Sequence, residues 1–240
     1  MTRRLRAVRT PIAVAAVAVL AAACSETDAD PVTETADSPS AASAPADGVQ
    51  ALPGPDPGAD SATLAAGRYR VPLGDDLAFE VDVPDDTSAH DGGLFLATGS
   101  VVLKTEVAGT DYGLPRDPCS VQAIDPVGPT VDDLVRALGE LPVYELSRPE
   151  PVELGGAEGS YVEARIPRSY DASQCEGQDV QLPGNPDTAV SGAPPYRGRW
   201  WILDVDGQRV VVQQNCWDCS ADELDGAAAT AESITFTPAP

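Results

Sequence analysis

The chain has 240 residues, with 38 Asp or Glu against 15 Lys or Arg and a single His, for a formal net charge of −23. A surface this acidic repels phosphate backbones and anionic head groups, which argues against nucleic acid as a partner. The lone His90 lies in Asp86-Thr87-Ser88-Ala89-His90-Asp91, which reads as an exposed loop, and no Gly-x-Ser-x-Gly elbow accompanies it, so a hydrolase triad has no base to use.

The N-terminus carries Arg3, Arg4, Arg6 and Arg9, then an apolar run from Pro11 to Ala23. Thirteen residues at 1.5 Å each fall short of a bilayer core of roughly 30 Å. They match the core of a secretory signal peptide, assigned to residues 1–23. The string Leu20-Ala21-Ala22-Ala23-Cys24 resembles the bacterial lipobox. That resemblance implies a diacylglyceryl thioether on Cys24, and hence a protein held through lipid on the extracytoplasmic face of the cell membrane. Two acyl chains anchor stably, each buried methylene contributing about 0.8 kcal/mol. Beyond residue 23 the chain holds eleven Lys or Arg against all thirty-eight acids, a net −27. Its basic residues are Arg except for Lys104, and with abundant Ala, Pro and Gly this bias points to a high-GC actinobacterial genome.

Residues 24–66 follow Cys24 with Ala, Pro, Ser, Thr and acids, and without aromatic or basic side chains. Such a stretch buries too little apolar area to offset ordering entropy, so it is expected to be a disordered acidic linker. As a coil it would span roughly 35 Å and lift a domain off the membrane.

Residues 67–240 have the length of one domain. Arg68–Val71 and Leu77–Val83 flank Gly74-Asp75-Asp76 as a hairpin, and Leu94–Ala97 with Ser100–Glu106 form a second. Cys119–Ile124 is a further candidate strand. Thr130 is placed as an N-cap, Val131, Leu134, Val135 and Leu138 make an apolar stripe, and Gly139 ends the helix. Strands follow near Val143–Leu146 and Gly159–Ile166, with Pro151–Leu154 leading into the second. A polar loop from Pro167 to Gly198 holds Cys175. Arg199–Val205 and Gln208–Gln213 turn at Asp206-Gly207, a strong type I′ signal. Ala221–Ala231 reads as a helix and Ile234–Phe236 as the last ordered segment.

Arg199-Trp200-Trp201-Ile202-Leu203 and Val210-Val211-Val212 are apolar on both pleat faces, which places them in a sheet covered on both sides. The two predicted helices are the natural covers, so an α+β domain is expected, an antiparallel sheet flanked by helices. Trp201–Val212, then Ala231-Glu232-Ser233-Ile234-Thr235-Phe236, resemble the end of many actinobacterial secreted domains. Thr130–Leu138 with Pro151-Val152-Glu153-Leu154-Gly155-Gly156 is similar to their middle. The resemblance, to LpqN-type lipoproteins, implies a PsbP-like α/β/α sandwich and no catalytic residues.

With Cys24 lipidated, Cys119, Cys175, Cys216 and Cys219 remain, an even set in an oxidising compartment, so two disulfides are expected. Long-range pairing of Cys119 and Cys175 with Cys216 and Cys219 is favoured; the alternative is Cys119–Cys175 with a local Cys216–Cys219 bridge. Cys216-Trp217-Asp218-Cys219 also has the strand-then-helix setting of a thioredoxin-type site, but only twenty-one residues follow it, too few for the rest of that fold. A zinc site lacks a second Cys-x-x-Cys. Counting an EF-hand loop from Asp204 places Asn215 where a Glu is required. No catalytic, metal or cofactor residues are expected. The expected function is non-enzymatic, a membrane-anchored domain binding an apolar ligand or an envelope protein; the alternative is a secreted enzyme or a thiol-disulfide redox protein using Cys216 and Cys219.

Overall fold

The computed structural model describes residues 48–120 and 124–239. The expected signal peptide, Cys24 and the expected linker as far as residue 47 lie outside the described residues, as do positions 121–123.

In chain order the strands are β1 Val49–Ala51, β2 Ser61–Leu64, β3 Gly67–Pro72, β4 Leu77–Val83, β5 Thr87–His90, β6 Phe95–Thr98, β7 Val101–Val107, β8 Gly113–Pro115 and β9 Ile124–Pro126. After helix α1, Val131–Leu138, come β10 Glu145–Leu146, β11 Glu150–Leu154, β12 Ala157–Ile166, β13 Val180–Gln181, β14 Ser191–Gly192, β15 Tyr196–Val205 and β16 Gln208–Trp217. Helices α2, Ala221–Gly226, and α3, Ala228–Glu232, precede β17, Thr235–Pro238.

Two sheets dominate. The smaller has the order β1-β3-β4-β17, and the larger runs β10-β12-β15-β16-β7-β6-β5-β2, with β11 also on the edge of β12. Alternation along β3 and β4 turns Tyr69, Val71, Phe79 and Val81 inward. They meet Leu103, Trp201, Leu203, Val210 and Val212 from the larger sheet, making a core between the sheets. The opposite face of the larger sheet carries Val162, Ala164, Ile166, Trp200, Ile202 and Val211. There Leu134 and Leu138 of α1 pack with Leu114 of β8, Val180 of β13, and Tyr112, Tyr144 and Leu182 from the connecting segments.

This corrects the expected α+β, PsbP-like sandwich. Strands take 46% of the described residues and helices 15%. The central strands are covered on both faces, but one cover is a second sheet, and α1 with the short β8–β9 and β13–β14 ladders and their connecting segments supplies the other. The apolar run Trp200–Leu203 specifies burial on both faces and says nothing of what does the burying.

Within the stretch expected to be a disordered linker, residues 24–66, the described part forms strands: β1 pairs in parallel with β3 and β2 pairs antiparallel with β5. Few apolar side chains are needed there, since these edge strands gain ladder hydrogen bonds from strands already placed; Ala62 and Leu64 are the buried anchors. His90 also differs from expectation: it lies in β5, opposite Ser61 and Phe95. Cys119 and Ser120 are not in a strand, and β9 starts only at Ile124. Glu150–Leu154 is a full strand, joined to β12 through Gly155 and Gly156, both at positive φ. The segment 221–231 breaks at Ala227 into α2 and α3.

Other expectations match. Both early hairpins form as β3–β4 and β6–β7. Helix α1 has the Thr130 cap, closed as a reciprocal box with Asp133. The β15–β16 hairpin turns at Asp206 and Gly207, both at positive φ, and Asp204 accepts a hydrogen bond from the Gly207 N–H at 2.8 Å.

Candidate functional site

The four cysteines pair as Cys119–Cys175 and Cys216–Cys219, which overturns the favoured long-range pairing. The geometric reason is placement. Cys119 and Cys175 lie in the loops over the α1 side of the larger sheet, where the Glu176 N–H also donates to the Cys119 carbonyl. Cys216 is the next-to-last residue of β16, opposite Arg197 and Val101, and packs with Leu224 and Cys219 as the chain turns into α2.

Charge is the more informative feature. Arg165 on β12 lies directly opposite Arg197 on β15, and Glu163 opposite Arg199. Like charges facing across a ladder repel, so the first pair is unfavourable by itself. A cleft of about 390 Å³ opens on these residues, lined also by Glu145, Ser147, Ala221 and Leu224. Each guanidinium is held differently. Arg165 donates to Glu145, whose strand β10 borders β12. Arg199, 18% exposed, bonds Asp225 and the Leu224 carbonyl at the end of α2. Its Nε is out of water with no hydrogen-bond acceptor, the Glu163 carboxylate standing 4.0 Å away. Arg197 takes part in none of the ion pairs among the described residues. The cleft thus concentrates guanidinium donors on an acidic domain, in the fork geometry that suits carboxylate or phosphate oxygens.

A second cluster is internal. Lys104 and Glu106, two apart on β7, share the face that carries α1 and the loops. Lys104 is fully buried and its Nζ donates to Glu106 Oε1. The other oxygen accepts from Asn185 Nδ2 at 2.9 Å and Thr188 Oγ1 at 2.7 Å, both from the segment between β13 and β14. Burial pulls the Lys104 amine below its ordinary range, against the opposing pull of Glu106. Alongside, Gln213 Nε2 donates to the Tyr112 hydroxyl at 3.0 Å, and burial followed by the Glu106 charge pushes that phenol well up. Tyr196 donates to Asn215 Oδ1 at 2.7 Å and accepts from Trp200 Nε1 at 2.9 Å.

Neither cluster was among the residues singled out from the sequence. A period-two signal existed for the second, since Lys104-Thr105-Glu106 puts the chain's only lysine and an acid on one face of an otherwise apolar strand. The arginine cleft had none, because the opposition of Arg165 and Arg197 depends on the register of β12 against β15. Among the described residues no group of three or more His, Cys, Asp or Glu side chains is placed to hold a metal ion. No described helix is long and apolar enough to cross a membrane.

No protein-family model matches the chain, and no curated protein sequence is significantly similar to it.

Proposed function

We propose that this chain is an extracytoplasmic lipoprotein, anchored through Cys24, whose β-rich domain works by binding, and that the Arg165–Arg197–Arg199 cleft receives an anionic group of an envelope component. The observation that carries this reading is the opposition of Arg165 and Arg197, in which Arg165 is paired with Glu145 while Arg197 enters none of the ion pairs among the described residues. An oxyanion between them converts a repulsive pair into two charge-assisted contacts. The apolar ligand expected from the sequence fits less well, since three arginines and two glutamates line this cleft.

Calorimetric titration of the full chain with inorganic phosphate and with citrate tests the site. Saturable binding of either, weakened about tenfold or more by Arg197→Ala, corresponds to a loss of about 1.4 kcal/mol or more. Absence of binding to both, or binding that Arg197→Ala leaves intact, refutes the assignment. The anchor is tested separately: Cys24→Ser releases the protein from the membrane fraction or stalls its processing.

The pairing of Cys216 with Cys219 favours one second reading, thiol-disulfide exchange. Cys216 is buried and Cys219 half-buried, so Cys219 presents the sulfur that a partner thiolate would attack. Reduction of this bridge at glutathione-like potentials with Cys119–Cys175 intact would support exchange chemistry; equal resistance of both bridges would remove it.

A further inference from the structure

The only lysine of the chain, Lys104, and one of its two asparagines, Asn185, are held on the two oxygens of a single buried carboxylate, that of Glu106. Lysine is seldom fully buried, and a Lys–Glu pair taken out of water is costly unless its geometry gains something further. Here the amine is fully buried, the Glu106 side chain is 3% exposed, and the Phe95 ring lies 5.7 Å from Nζ. The Asn185 amide is oriented by two contacts of its Nδ2, to Glu106 Oε2 and to the Val107 carbonyl at 3.3 Å. An amine, a carboxamide and a carboxylate able to carry protons between them are the complete set of groups for forming an amide from two side chains.

We propose that Lys104 and Asn185 form an intramolecular isopeptide bond, with Glu106 as the catalytic residue. Glu106 takes a proton from the Lys104 ammonium, leaving a neutral amine. The Nζ lone pair attacks Asn185 Cγ, and the carbonyl electrons move to Oδ1. Glu106 then passes a proton to Nδ2 as a second proton leaves Nζ. Collapse of the tetrahedral carbon restores the carbonyl and breaks the Cγ–Nδ2 bond. One Nζ–Cγ bond forms, one Cγ–Nδ2 bond breaks, and ammonia leaves with the remaining proton. No oxidant, cofactor or external reactant is needed.

Three features of the surroundings favour this direction. The leaving nitrogen, Nδ2, is the Asn185 atom that touches Glu106, so the proton relay ends where the leaving group needs it. Burial disfavours the ammonium and so favours the nucleophilic amine. Thr188 donates to Glu106 Oε2 and holds the carboxylate in place. The bond would fasten the segment between β13 and β14 to strand β7, on the face of the larger sheet that α1 helps to cover.

Because Lys104 is the only lysine, amine chemistry on the full chain is a clean test. The chain is allowed to fold, then denatured and treated with an amine-acylating reagent. Proteolysis at acidic residues and fragment sequencing follow. The expected result is a Lys104 side chain that cannot be acylated and a branched peptide joining Lys104 to Asn185, lighter by one ammonia than its two parts. Asn185 precedes Pro186, which has no N–H to close a succinimide, so ammonia loss there has no competing backbone route. Glu106→Gln and Asn185→Ala should each restore an acylable amine and separate peptides. A wild-type chain with a free Lys104 amine overturns the proposal, whatever the variants do. A branched peptide that persists in Glu106→Gln overturns the role given to Glu106.

Discussion

Trp200 and Trp201 are neighbours on β15 but are buried in different cores, Trp200 beneath α1 and the loops, Trp201 between the two sheets. Trp200 meets Tyr144 edge-on with ring centroids 5.8 Å apart, and Trp201 meets Tyr161 at 5.3 Å. Each indole therefore anchors one interface of the central sheet. Trp200→Ala and Trp201→Ala should each cost about 3–5 kcal/mol in denaturant unfolding. A cost below about 1 kcal/mol for either would contradict a sheet buried on both faces.

Gly198 lies between Tyr196 and Trp200 on one face of β15, where a methyl group would collide with the Tyr196 hydroxyl. Gly198→Ala should destabilise the domain by about 1–3 kcal/mol, the range for overpacking a filled core. Gly109→Ala is the control, since nothing lies within 4 Å of a methyl placed there. Equal melting temperatures for the two variants would show that the Tyr196–Asn215–Trp200 arrangement tolerates displacement.

The two disulfides should differ in their contribution to stability. Cys119 and Cys175 are 56 residues apart and Cys216 and Cys219 only 3. In the chain-entropy model the longer loop contributes about 4 kcal/mol and the short one under about 2 kcal/mol. The paired serine variants, compared by chemical unfolding, should follow that order.

Glu80 is held below its ordinary value of 4.5 by the hydrogen bond from Arg70 and then by that from Arg68, with burial opposing. Because the folded-state value is the lower one, the stabilisation is fully present above the unfolded value and is lost as pH falls through the folded one. The stability difference between the wild type and Glu80→Gln should therefore hold from neutral pH down to about 5 and close below the ordinary glutamate value. A difference that is unchanged at pH 3 would mean that the Arg70 contact contributes no differential protonation.

Thr130 accepts a hydrogen bond from the Asp133 N–H at 3.1 Å, and Asp133 accepts in return from the Thr130 N–H. Thr130→Ala should cost about 1 kcal/mol. Since Arg209 also donates to the Gly128 and Thr130 carbonyls, the loss should be local, visible as faster amide exchange in the first turn of α1.

Signals within a few residues were enough to place α1, the hairpins at Gly74–Asp76, Thr98–Gly99 and Asp206–Gly207, and the burial of Trp200–Leu203 on both faces. Caps, turn residues and period-two alternation act between near neighbours, so the chain states them directly. The identity of the layers was not legible. A strand buried on both sides looks the same whether a helix or a sheet covers it, and β1 and β2, with little apolar content, form only because β3 and β5 offer unpaired edges.

The same division separates the sites. The sequence by itself determined the number of cysteines beyond Cys24, the acidic balance and the presence of a single lysine on an apolar strand. Only the tertiary structure decided that Cys119 meets Cys175, that Arg165 faces Arg197, and that Asn185 shares the Glu106 carboxylate with Lys104. Each of these joins residues more than thirty positions apart. Strand register and loop closure set such contacts, and both are properties of the whole packed chain.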